Sequence, residues 1–262
     1  SGDGSHDSGS GDGSHDSGSG DGSHDSGSGD GSHDSGSGDG SSENLFFNEK
    51  QVLGEESWFS VFQNPAIFGS SQDLFISEYA EGGSGYNKYL EIYNPKDASV
   101  DLTQYAIASV QNAPDVAGQY EFWNEFDTGA TIAAGATYIW ADSRSDQAIL
   151  DKLANGGGQT GKAYFNGDDG YALVKGTEDS YTIIDAVGDF NGDPGLGWDV
   201  AGVTNATRNH TLIRKPLKTG NSGDWDSSRG TNTDNSEWVV KDDMDWSDLG
   251  QHTFAPATSD TI

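Results

Sequence analysis

The first 42 residues hold no apolar side chain, and they repeat. Ser-Gly-Asp-Gly-Ser-His-Asp-Ser-Gly runs four times from Ser1 to Gly36, then begins a fifth copy that breaks at Ser42. A segment with nothing to bury cannot offset the entropy of ordering it, so on its own it reads as disordered. Order would have to come from outside: a metal, a glycan or neighbouring chains. The period of nine is three times three. In an extended helix of three residues per turn, Asp3, His6 and Gly9 would share one ridge, whereas in a β-strand each copy would swap faces. At about 3.1 Å per residue, Asp3 and His6 sit roughly 9 Å apart in such a helix, too far to share one ion within a chain. The calcium-binding nonapeptide G-G-x-G-x-D-x-U-x differs, because Gly9 stands where an apolar residue must build the core of the roll. A flexible spacer and an ordered inter-chain or glycan-decorated fibre segment both fit the pattern. His6, His15, His24 and His33 read as pH-sensitive spacer residues. The chain opens in mid-pattern, so the expectation is a mature or partial sequence with more repeats upstream.

The other 220 residues suit one globular domain. The chain has 43 acidic residues against 13 Lys and Arg, a net charge of −30. The repeat holds nine of those acids and none of the bases, leaving 34 against 13 in the remainder. Such a field repels nucleic acid and anionic lipid and attracts cations. It suits a solvated surface in a salty medium or calcium binding. There is no cysteine, which excludes disulfides, thiolate zinc sites and a cysteine nucleophile. No apolar run approaches the ~20 residues of a membrane-spanning helix, and no signal peptide is visible. Absence of cysteine fits a secreted bacterial protein, so the expected location is extracellular or at the cell surface.

Composition changes abruptly at Glu43. Leu45, Phe46, Phe47, Val52 and Leu53 are followed by Trp58, Phe59, Val61, Phe62 and Ile67. Trp58, Val61 and Phe62 have helical spacing. This apolar arm, residues 43–72, either packs on its own domain or docks on a neighbouring copy by adding a strand or filling a groove. In the second case Leu45, Phe46, Phe47, Trp58, Phe59 and Phe62 are the assembly residues.

From Asp73 the pattern is β. Residues 74–79 and 88–94 alternate apolar and polar side chains. Further strands are expected at 105–110, 120–123, 138–141, 172–174, 182–187, 211–214 and 238–241, with one helical excursion at 147–153. Short strands separated by Gly- and Asp-rich turns predict an all-β, two-sheet sandwich. Ile76-Ser77-Glu78, the run from Tyr89 through Glu91 to Pro95, and Asp101-Leu102-Thr103-Gln104-Tyr105 together resemble the lamin tail domain. Ile132 with Ala134-Gly135, Asn166-Gly167-Asp168-Asp169, Ile184-Asp185-Ala186-Val187-Gly188 and Thr211-Leu212-Ile213-Arg214-Lys215 continue the resemblance, which covers about residues 73–241. The resemblance implies an immunoglobulin-like β-sandwich used for binding or attachment, without catalytic residues of its own. The expected organisation is a repeat tail at 1–42, the arm at 43–72, the sandwich at 73–250 and an extension at 251–262.

The strongest metal candidate is Asp189-Phe190-Asn191-Gly192-Asp193, whose oxygens at alternate positions can converge on calcium. Pro194 and Val200 stand where the helix-loop-helix calcium motif needs glycine and glutamate. Asp185 could contribute from the adjoining strand, so Asp185, Asp189, Asn191 and Asp193 form the candidate calcium set, with an Asx-rich turn as the alternative. Asp168-Asp169 reads as a turn, and Asp242, Asp243, Asp245 and Asp248 as a solvated loop. Glu78 and Glu91 lie within strands, where alternation predicts that they face solvent. Trp225 and Trp246, set among Asp and Ser, are candidates for an exposed carbohydrate platform. The signatures of a zinc protease, a serine hydrolase and a phosphate loop are absent. The sequence therefore suggests a non-catalytic structural protein, an acidic subunit of an extracellular filament or surface layer that binds copies of itself. The rival is a calcium-dependent carbohydrate or cell-surface binding module on a flexible spacer.

Overall fold

The computed structural model describes residues 72–254. The repeat tail and the assembly residues of the arm lie outside that range. The described residues form an immunoglobulin-like β-sandwich, the all-β class that the alternation predicts. Its first sheet has six strands in the order β12-β11-β1-β2-β7-β8. These are β1 (Phe75–Glu81), β2 (Lys88–Tyr93), β7 (Thr137–Asp142), β8 (Gly158–Gly161), β11 (His210–Arg214) and β12 (Trp238–Lys241). The second sheet has the order β10-β9-β4-β5, from β4 (Tyr105–Ser109), β5 (Phe122–Glu125), β9 (Tyr171–Thr177) and β10 (Ser180–Val187). A two-residue pair, β3 (Val100–Asp101) with β6 (Thr131–Ile132), stands apart.

The core follows the period of two. Leu90 and Ile92 of β2, Tyr138 and Trp140 of β7, Ile107 of β4 and Leu173 of β9 all enter the main interior cluster. The intervening residues point to the opposite faces, yet those faces are not left to water. On the four-stranded sheet Ala106, Ala108, Ala172, Val174 and Ala186 are covered by Val110 and Phe190. On the six-stranded sheet Ala80, Tyr89, Ile139 and Ala141 are covered by Ile149 of α1 (Gln147–Leu153) and by Leu249, with Trp246 beside them. A bulge between Ile76 and Glu78 lets both Ile76 and Tyr79 reach the interior from one strand.

Helix α1 occupies the residues expected of it. Strand β5 begins two residues late, because Tyr120 packs against Trp123 and Tyr181 at a ring separation near 5.5 Å instead of pairing in the sheet. Strand β8 lacks apolar alternation and pairs parallel to β7. Asn94 closes the turn after β2: its amide donates to the carbonyls of Ala98, Ile132 and Ala133, and its oxygen accepts from the Lys96 amide.

One buried ion pair joins the two sheets. Nη2 of Arg214 of β11 donates to both carboxylate oxygens of Asp185 of β10, at 2.6 and 2.8 Å, and both side chains are fully buried. Asp185 also accepts from the backbone amides of Ile76, Ala186 and Asn221. Arg214 donates onward to the carbonyls of Ile76 and Thr219 and to Glu237, and its guanidinium lies 4.1 Å over the Trp238 ring. Burial pushes the Asp185 carboxyl up, opposed by the Arg214 charge and the three backbone donors. Asp185→Asn should therefore cost about 3–5 kcal/mol, since it strands a buried guanidinium. Urea unfolding followed by tryptophan fluorescence checks this, and a loss below about 1 kcal/mol would contradict the pair's role as the inter-sheet lock.

Candidate functional site

The residues from Asp189 to Asp193 leave β10 after Gly188 and turn back over the sheet, pulled down by buried Phe190. Within this loop Asp189 accepts from the Asn191 amide at 2.7 Å and Asp193 from the Gly195 amide at 2.6 Å. Each carboxylate thus caps its own Asx turn. Asp185 does not join them: its two oxygens face the interior and are taken by Arg214. The expected four-residue calcium set is therefore not assembled as one group, because a strand residue pointing between the sheets cannot also reach the loop above them. Among the described residues, no group of three or more His, Cys, Asp or Glu side chains is placed to hold a metal ion. The loop instead faces Asp168, whose carboxyl is pushed up by burial and by the Asp193 charge. Beside it Asp169 accepts from the amides of Asn112 and Asn166 at 2.8 and 3.1 Å. Burial, with a contribution from Asp168, raises Asp169 to about 6.

Trp225 is not an exposed platform. It is 1% exposed and sits edge-to-face between Trp198 and Trp238, at ring separations of 6.4 and 6.3 Å. Its polar neighbours misled the reading for a local reason. Asp224 caps the single-turn helix α2 (Trp225–Arg229) by accepting from the Ser227 amide, so Asp226 and Ser227 face outward while Trp225 and Ser228 face in. Trp246 is half-buried against the outer face of the six-stranded sheet. The exposed aromatic stack lies elsewhere, in three segments that no sequence spacing connects. Arg144 forks onto Asp142 at 2.9 and 2.7 Å and lies 3.5 Å over the Tyr86 ring and 5.1 Å from that of Tyr164. Tyr86 and Tyr164 are 46% and 49% exposed.

Glu78 and Glu91 also depart from expectation, since neither faces solvent. They sit directly opposite one another on β1 and β2, 1% and 0% exposed. Glu91 accepts from the Ser77 hydroxyl at 2.7 Å and from the Gly250 amide at 2.6 Å. Glu78 accepts from the Tyr89 hydroxyl. Burial, reinforced by the Glu91 charge, pushes Glu78 up to about 8, and burial pushes Glu91 up to about 7. Alternation correctly put both on the face away from the main core. It could not show that residues 242–254 cover that face.

Residues 69–190 match the family model of the Lamin Tail Domain. No curated protein and no solved structure matches the chain significantly. The match ends at Phe190, whereas the fold continues: β11 pairs onto β1 and β12 onto β11, which completes the six-stranded sheet.

Two outcomes follow. Trp225→Ala should destabilise the domain by about 3–5 kcal/mol through loss of a fully buried aromatic ring, measured by thermal and urea melts. The Glu78–Glu91 pair should also make stability fall as pH rises. A carboxyl whose folded-state pKa is raised binds its proton more tightly in the folded protein. Its contribution is complete below the unfolded value near 4.5 and is lost as pH rises through about 7 and about 8. Urea midpoints of the wild type and Glu78→Gln between about pH 5 and pH 9 check this, the variant having the shallower slope.

Proposed function

We propose that this chain is a non-catalytic attachment subunit of an extracellular assembly. The acidic lamin-tail-like sandwich is the repeating body, the apolar arm makes the contact between copies, and the Gly/Ser/Asp/His repeat decorates or threads the assembly. One observation carries this reading: the sandwich covers the outer faces of both its sheets with its own segments, while the sequence holds a further dense apolar stretch, from Leu45 to Ile67, ahead of the first strand. The carboxylates that would first suggest chemistry, Asp185, Glu78 and Glu91, are engaged by internal partners. Among the described residues no helix is long and apolar enough to cross a membrane.

A second reading has its own support. The exposed Tyr86–Arg144–Tyr164 stack offers flat rings and a fixed guanidinium to a sugar face. Asp168 beside Asp193 offers charge to calcium. In that case the protein is a calcium-dependent carbohydrate or cell-surface binding module, and the repeat is its spacer.

The two readings separate in one comparison. Negative-stain microscopy and sedimentation of the full chain should show regular assemblies, and the triple variant Trp58→Ala, Phe59→Ala, Phe62→Ala should be monomeric with an unchanged melting temperature. Normal assembly by that variant would sink the first reading. Glycan binding that needs calcium and is lost on Tyr86→Ala would establish the second.

A further inference from the structure

Residues 242–254 leave β12 and cross the outer face of the six-stranded sheet as a strap. It is held at its start where the Gly83 amide donates to Asp243 at 2.9 Å. It is held at its end where the Leu217 amide donates to the Phe254 carbonyl at 2.6 Å. Between them Trp246 and Leu249 lie over Ala80, Tyr89 and Ile139. His252 packs on Phe75 and Tyr93 at ring separations of 5.5 and 4.9 Å. At its centre the Gly250 amide donates to Glu91, one of the two facing carboxylates.

We propose that this strap is a proton-dependent latch: it stays seated while the Glu78–Glu91 pair holds a proton, and its 245–254 portion lifts when both carboxylates are ionised, baring Ala80, Tyr89 and Ile139.

The pair's surroundings carry the argument. From β1 and β2 the groups that face it are the Ser77 hydroxyl and the Tyr89 phenol. From β7 it is the Thr137 hydroxyl. From β11 it is Ile213, the residue opposite Glu78. From the strap they are Asp245 and Asp248, both of the same sign as the pair. The nearest cations serve other groups or stand at the rim: Lys241 reaches Asp245 at 3.9 Å, and exposed Lys152 of α1 lies beside Gly250. Among the described residues, neither carboxylate forms an ion pair with a base.

With one proton on the pair, a single negative charge is met by Ser77, Tyr89, Thr137 and the Gly250 amide. With none, two like charges lie opposite each other under two more, and the pair titrates as a unit. Water must then enter, and the cover most able to yield is the strap, since the other neighbours are paired strands. Gly250 supplies the joint: its φ of 93° is a conformation that side-chain-bearing residues rarely adopt. A cleft of about 440 Å³, lined in part by Thr137, Lys152, Gly250 and His252, already runs along the strap's flank.

The test is amide exchange by NMR on the full chain at about pH 6 and about pH 9, corrected for the intrinsic rate. The expected result is a loss of protection at Leu249 and Gly250 of at least ~10-fold, the factor that one unit of pH beyond the pair's titration provides. Leu90 and Leu173 in the core should keep theirs. Glu78→Gln leaves the pair able to carry only one charge, so its strap should stay protected at both pH values. Glu91→Gln, whose amide oxygen can still accept from the Gly250 amide while its NH2 donates to the Ser77 hydroxyl oxygen, should behave alike and serves if the first variant folds poorly. Unchanged strap protection in the wild type, equal loss in strap and core, or a wild-type response in both variants would each overturn the latch.

Discussion

The Asp185–Arg214 pair is the contact on which the rest of the sandwich depends. Two sheets with alanine-rich outer faces and a mixed aliphatic and aromatic interior could slide on one another at little cost. A planar guanidinium locked onto a carboxylate between them allows one arrangement only, because its remaining donors are already committed to Ile76, Thr219 and Glu237. The pair fixes β10 against β11 and, through Ile76, fixes β1 against both. Trp238 closes over the guanidinium, and Trp225 and Trp198 continue the aromatic row from there. Replacing both charges together by apolar groups of matching volume would lose this specificity more than it would lose stability.

The strands and α1 were legible because their signals are local. Alternation in 88–94 marks β2, and the absence of Gly and Pro over 147–153 marks the helix. What stayed hidden was set by tertiary cover. Glu78 and Glu91 alternate as surface residues do, and the cluster Asp242, Asp243, Asp245 and Asp248 reads as a solvated loop because these acids outnumber Trp246 and Leu249. The burial of the first pair and the path of the second segment are one fact, visible only when both are seen together. Trp225 failed for a related reason: a one-turn helix has too little periodicity to show which way its single aromatic points. The Tyr86–Arg144–Tyr164 stack draws on three loops, so no window of sequence contains it.

The lamin-tail-like portion and the complete sandwich are not the same object. The family match ends near Phe190, and the Arg214 that Asp185 needs lies beyond it. So do the strap and the aromatic row of Trp198, Trp225 and Trp238. The matched portion therefore supplies the carboxylates Glu78, Glu91 and Asp185, and the residues after it supply the Arg214 charge and the strap. The interior charges of this body are answered internally, and the chain as a whole is strongly acidic.

This division has a consequence for how the domain comes into being. The two bonds that clamp β1 onto the lock span 109 and 138 residues of sequence. A chain emerging from the ribosome presents β1 first and the arginine that completes its surroundings near the end. Local hairpins such as β9–β10 can form early, but the closing contacts are long-range and slow. Assembly of the native sandwich is a late event that waits for nearly the whole domain. Until then Glu78, Glu91 and Asp185 remain hydrated, and the unfinished chain stays open at the edge where it will finally close.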